Sequence, residues 1–230
     1  MCQRILCIFI HSTCIENVFI YNLHVFTYTG RTMYKKMIVI MITGRAPNMS
    51  LLIYGFIMSY SENSTAIKKL VTLAKENGIN FNDPRFTLIT DQGSALLKAW
   101  RESFSLTFHI LCARHLLKLL LKVPQGPAAQ HLYWDARNAK TAVKYNAIMI
   151  TMQDRFPKAH AYLASVHENW QLFKAVESDH RLYDSQSSNL VEQSFSWTLE
   201  EREYPPYHYL KGRTTCIPIH NVIIMIQNKM

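Results

Sequence analysis

A chain of 230 residues that is 49% hydrophobic and 12% aromatic can bury a sizeable core, which excludes wholesale disorder and fits one domain, or one domain carrying an insertion. Seven glycines are too few for an all-β sandwich, and a net charge of +9 favours a polyanionic partner such as nucleic acid, although basic charge is common in proteins that bind none. The five cysteines, odd in number and irregularly spaced, argue against a disulfide framework and point to a reducing compartment.

The opening MCQRILCIFIHSTC has a short apolar run and no convincing cleavage site, so it makes a poor signal peptide, and no structure is expected for residues 1–20. Asn17 to Tyr28, NVFIYNLHVFTY, is β-branched and aromatic and suits a strand. Lys36 to Thr43 is a continuous apolar strand candidate, Gly44 to Asn48 has turn chemistry, and Ser50 to Tyr60 reads as a further strand. An antiparallel hairpin is the simplest pairing of these two runs. The period then changes. Ile67, Leu70, Val71 and Ala74 fall at helical spacing, with Ser64 or Thr65 as cap and Gly78 as stop. RFTLIT is a short strand, SALLKAWRESF a helix, LTFHIL a strand, and CARHLLKLLLK a helix ending before Pro124. The order β-β-β-α-β-α-β-α defines an α/β fold. After Val123 to Pro127 the chain is helix-patterned only, with Pro157 at a helix start, where its missing N–H costs nothing. No stretch approaches the roughly 18 apolar residues that span a bilayer, so no membrane partner is expected and the chain reads as soluble and intracellular.

Three stretches can carry chemistry. FTLITD ends an apolar strand on Asp91, which is either a solvated loop acid or a metal-binding carboxylate at the carboxyl end of a sheet. Cys112 and His115 stand three apart at a strand-to-helix junction and share a helix face, but a structural zinc site takes about four ligands, so a packed junction is the simpler reading. In SSNLVEQSF, Asn189 and Glu192 have capping-box spacing, and taken alone that reading suffices.

Together, FTLITDQGSALLKAW, FSLTFHILCARHLLKLL, the stretch LYWDARNAKTAVKYNAIMITMQDRFPKAHAYLASVHENW and SSNLVEQSF resemble, in order and spacing, the Mutator-like element (MULE) transposases. Upstream, YKKMIVIMITGRAPNMSLLIYGFIMSYSENS resembles the hairpin after that family's first catalytic strand, so the similarity covers roughly residues 25–230. The resemblance implies an RNase H-like mixed sheet with an all-helical insertion between the second and third acidic positions. Its boundaries here are an unassigned segment 1–20, an α/β core 21–122, an insertion 123–187, and a C-terminal helix and tail 188–230. It also implies a DDE-type site in which Asp91 is the second acid and Glu192 the third, together binding Mg²⁺ or Mn²⁺ for phosphodiester cleavage and strand transfer. DNA is the implied partner, with self-association alongside it, and the nucleus the implied location. Cys112 and His115 match a family motif of unknown role. Arg114 and Arg137 are the better candidates for phosphate contact, whereas Lys68, Lys69, Lys75, Lys118 and Lys122 are spaced like solvated helix faces.

One family feature is missing. The first acid belongs about eight residues before Tyr34, where this chain has Phe26, Thr27 and Tyr28. A two-metal site without that ligand loses much of its charge, so loss of activity is expected. The family's flanking DNA-binding and zinc-binding segments are also lacking, which suggests a degenerate copy or a fragment with a miscalled start. Two other readings stand beside the catalytic one: a non-catalytic relic that binds DNA or protein, and a plain α/β protein whose acids are coincidental. Trp134, Trp170 and Trp197 are expected in the core or in helix packing, and His109 packed within its strand rather than acting as a ligand.

Overall fold

Aliphatic runs in the first part of the chain give way at Ser64 to helical spacing, and the backbone follows that change. The computed structural model describes residues 7–9, 23–29, 38–45, 51–59, 63–76, 80–84, 87–179 and 223–226. The strands are β1 (Cys7–Phe9), β2 (Leu23–Thr29), β3 (Ile38–Arg45), β4 (Leu51–Ser59), β5 (Thr87–Thr90), β6 (Phe108–Leu111) and β7 (Ile223–Ile226). They form one mixed sheet in the order β1-β7-β4-β3-β2-β5-β6.

The two long apolar runs pair as the antiparallel β3–β4 hairpin, with a register shift between Ile42 and Thr43. β2 is antiparallel to β3, and on its other side it runs parallel to β5. β6 continues the sheet parallel to β5, with Thr90 opposite Leu111. Parallel neighbours need crossovers, which the helices α1 (Ser64–Glu76) and α2 (Ser94–Ser103) supply. Two strands depart from the sequence reading. β1 lies in a segment for which no structure is expected, and β7 lies in the C-terminal tail; they pair with each other, and β7 also pairs with β4. Both are short, and neither stands out from neighbouring apolar residues by period.

α1 buries Ala66, Ile67, Leu70 and Ala74, the spacing that defines its inner face. Its cap is Asn63, whose Oδ1 accepts from the Ala66 N–H at 2.8 Å, rather than Ser64 or Thr65. The expected stop at Gly78 lies outside the described residues. α1 and α2 pack through Ile67, Leu70, Leu96 and Ala99 on Leu88 of β5. The opposite face of the sheet carries Ile89 and Ile110, which pack with Ala175 of α7 (Leu172–Glu177). With helices on both faces, all four residues of β5 are buried.

The helical layer comprises α3 (Ala113–Leu120), α4 (Gly126–Arg137), α5 (Ala142–Arg155), α6 (Pro157–Ala164) and α7. The stretches 128–156 and 157–173, helix-patterned in sequence, are each interrupted. Thr141 caps α5, its hydroxyl accepting from the Lys144 N–H at 3.3 Å, so the chain breaks between Arg137 and Ala142. The second break falls at residues 165–171, which run along the open edge of β6. There the Leu111 N–H donates to the Asn169 carbonyl at 2.7 Å, and Asn169 Nδ2 donates to the His109 carbonyl at 3.2 Å. That cover protects an edge strand that would otherwise present unpaired backbone groups. Trp170 is buried in this layer, stacked on Tyr133 with ring centroids 5.8 Å apart and edge-on to Tyr145. Trp134 is partly buried on the same cluster, and Trp197 lies outside the described residues.

Candidate functional site

A parallel strand pair brings its two carboxyl ends to the same level, and here those ends carry Asp91 and Cys112. The Cys112 N–H donates to the Thr90 carbonyl at 2.6 Å, which extends the ladder past β6 and holds the two positions side by side. Asp91 turns out of the strand. Its Oδ1 accepts from the Gly93 N–H at 2.9 Å, forming the tight turn that starts α2. The carboxylate is half-buried and keeps its second oxygen for other partners. Next to it, Gln92 Oε1 accepts from the Tyr162 hydroxyl at 3.5 Å, so α6 reaches over this end of the sheet.

β2 stands on the other side of β5. Its ladder pairs Leu23 with Leu88 and His24 with Ile89, and the same offset continued two residues brings Phe26 level with Asp91. The position of β2 level with Asp91, in mid-strand, therefore carries no carboxylate.

Cys112 is the N-cap of α3 and is fully buried. Its Sγ lies 3.2 Å from His115 Nδ1, one helical turn along. This contact is the main reason that the His115 pKa is raised above its ordinary value, and the nearby Asp91 carboxylate adds to it. The spacing that puts Cys112 and His115 on one face thus also leaves the imidazole within electrostatic reach of the Asp91 carboxylate.

Behind this junction stands α4. The Tyr133 hydroxyl donates to the Ala113 carbonyl at 2.7 Å, tying α4 to the first turn of α3, and burial raises its pKa. One turn further on, Arg137 is 0% exposed, and Nε, Nη1 and Nη2 of its guanidinium have no hydrogen-bond partner among the described residues. Burial pushes its pKa down to about 10, so it stays charged at neutral pH; the ionisable groups near enough to act on it are Tyr133 and Cys112. A DNA phosphate cannot reach Arg137 in this conformation, because α4 presents it to the interior. Arg114, by contrast, is exposed. Tyr133 is a residue that the sequence did not single out. Its position four before Arg137 on one helix face is the signal that links them.

His109 lies on the other face of β6 and is 2% exposed, a packed residue as the sequence suggests. Its ring lies 4.2 Å from that of Trp100, and its Nε2 is 2.7 Å from Thr90 Oγ1. Because the Thr90 hydroxyl already donates to the Asp91 carbonyl at 2.8 Å, the proton between the two belongs to Nε2. Burial is the main cause that lowers the His109 pKa to about 3, with the charge of Arg101 adding. Arg101 itself is paired with Glu168 at 2.6 Å, which fixes α2 to the segment along the β6 edge.

Glu192 lies outside the described residues. Among the described residues no three His, Cys, Asp or Glu side chains group as a metal site. Among the described residues Asp91 is the one carboxylate at the carboxyl ends of β5 and β6, and the β2 position level with it is Phe26. The chain matches no protein-family model and no curated protein.

Proposed function

We propose that this chain is a MULE transposase-like domain with an RNase H-like core that no longer carries a complete catalytic site and acts by binding DNA. The observation that carries this reading is the β2–β5 register, which when continued sets Phe26, within β2, level with Asp91, while Cys112 stands beside Asp91 at the end of β6. An RNase H-like transposase needs two acids on adjacent strand ends. The sheet order supports that architecture, and on this reading Asp91 takes the second position and Phe26, which cannot ligate a cation, the first. In the complete family site, Mg²⁺ or Mn²⁺ would supply the Lewis acidity for cutting and joining phosphodiesters. With Asp91 and Glu192 alone, the non-catalytic relic is the better account of this chain.

The net charge of +9 supports a polyanionic partner, and the same reading gives the protein a nuclear setting. Among the described residues no helix is long and apolar enough to cross a membrane. DNA binding of the purified chain, followed by fluorescence anisotropy over a series of salt concentrations, tests the reading. Log affinity should fall linearly with log salt as counterions are released, with no cleavage of the duplex in Mn²⁺. Affinity too weak to measure at low salt would remove DNA as the partner. Cutting of the duplex that Asp91→Ala abolishes would instead restore the catalytic reading.

A further inference from the structure

Neither Cys112 nor Arg137, both buried, has a role in the DNA binding proposed above. Their positions are fixed by the helical hairpin of α3 and α4. Gly126, at the start of α4, abuts the Leu120 carbonyl at the end of α3, and further along α4 the Tyr133 hydroxyl reaches the Ala113 carbonyl at the start of α3. α4 thus retraces α3, and its next turn brings Arg137 level with Cys112, the N-cap of α3. The guanidinium is charged, and Nε, Nη1 and Nη2 have no hydrogen-bond partner among the described residues. A buried charge of this kind calls for a counter-charge. Tyr133 does not supply it, because its hydroxyl keeps the proton that it donates to Ala113. The other ionisable group near enough to act on Arg137 is Cys112, which is a thiol rather than half of a disulfide. Its Sγ also touches His115 Nδ1 at 3.2 Å.

We infer that Cys112 is held as a thiolate between the His115 imidazolium and the Arg137 guanidinium, and that it is a site of oxidation by hydrogen peroxide. Two cations beside one sulfur favour its ionised form, and the thiolate is the form that attacks. The same contact raises the His115 pKa and so favours the protonated ring; Asp91 acts in the same direction and Lys118 against it. The small size of the oxidant matters because the sulfur is buried. His115, which touches it, is partly exposed, so the sulfur lies one side chain below the surface. In the reaction the sulfur attacks one peroxide oxygen, an S–O bond forms and the O–O bond breaks. The sulfur gives two electrons to the peroxide, and the leaving hydroxide takes the His115 proton and departs as water. Cys112 is left as a sulfenic acid. The N–H groups of Arg137 stabilise the negative charge that builds on the leaving oxygen. The inference does not rest on the function proposed above.

Brief treatment of the full chain with hydrogen peroxide at neutral pH tests it, with the sulfenic acid trapped by dimedone in denaturant and located by peptide mass mapping. Dimedone on the Cys112 peptide is expected, together with an ultraviolet thiolate absorbance at neutral pH that Cys112→Ser removes. Arg137→Met should slow the oxidation of Cys112 by about tenfold or more, and Arg137→Lys, which keeps the charge, should slow it less. Arg137→Met leaves no charge buried alone, because the thiolate can take up a proton, and circular dichroism should show the variant folded. His115→Ala should lower the thiolate absorbance as well. A folded wild-type chain with no thiolate absorbance from Cys112, or whose Cys112 peptide stays unmodified, would overturn the inference, and these two readouts need no variant to fold. Oxidation that Arg137→Met leaves unchanged would overturn it too.

Discussion

His109 and His115 lie on either side of the same strand end and respond oppositely to their surroundings. His109 is buried and held neutral, with its pKa lowered to about 3 from 6.5. Below pH 6.5 the unfolded chain takes up a proton that the folded chain refuses, so stability is lost as pH falls from 6.5 toward 3, at up to about 1.4 kcal/mol per pH unit. His115 is raised, so its contribution is fully present below its ordinary value and is lost as pH rises through the folded value. Urea unfolding across pH should therefore show greatest stability near 6.5, where these two limbs meet. His109→Gln should flatten the acid limb and His115→Ala the alkaline one; limbs unchanged by these substitutions would contradict the assignment. Arg137 offers a second test at this scale. A buried guanidinium without partners among the described residues costs more than a well-packed apolar side chain of its size, so Arg137→Met should leave stability unchanged or raise it by about 1–4 kcal/mol in denaturant unfolding. A loss of several kcal/mol would mean that an anion or ordered water holds the guanidinium in solution.

At the scale of elements, the α3–α4 corner depends on one glycine. α4 begins at Gly126, after Gln125 has taken a left-handed φ of 68°, and a Cβ on Gly126 would overlap the Leu120 carbonyl. Backbone cannot move aside as a flexible side chain can, so Gly126→Ala should cost about 1–3 kcal/mol in chemical unfolding. An unchanged midpoint would mean that the corner relaxes. Much of this part of the fold was legible in the sequence, because α1, β5, α2, β6 and α3 each have a clear apolar period ended by turn or capping chemistry. The breaks inside the helical layer were less legible. Thr141 is an ordinary cap within an unbroken helical pattern, and the 165–171 segment is fixed by tertiary hydrogen bonds to β6 that leave no local trace. The same holds for β1 and β7, two short apolar segments far apart in the chain whose pairing no local pattern announces.

At the scale of the molecule, the candidate site was partly legible. Asp91 was visible because an acid ends a buried strand, and the Cys112–His115 contact because three-residue spacing shares a helix face. The burial of Arg137 was not, since a single basic residue late in an amphipathic helix more often faces water. Adjacency of Phe26 to Asp91 is a property of sheet order, joining residues far apart in sequence. On the proposed reading, that adjacency leaves the site one acid short at the level of Asp91. Mn²⁺ binding by titration calorimetry, on the wild-type chain and on Phe26→Asp, tests it most directly. Weak or undetectable binding is expected in the wild type and clear binding in Phe26→Asp, gained through a second carboxylate level with Asp91 and abolished again by Asp91→Ala. Strong binding by the wild type, or a folded Phe26→Asp that gains none, would contradict it.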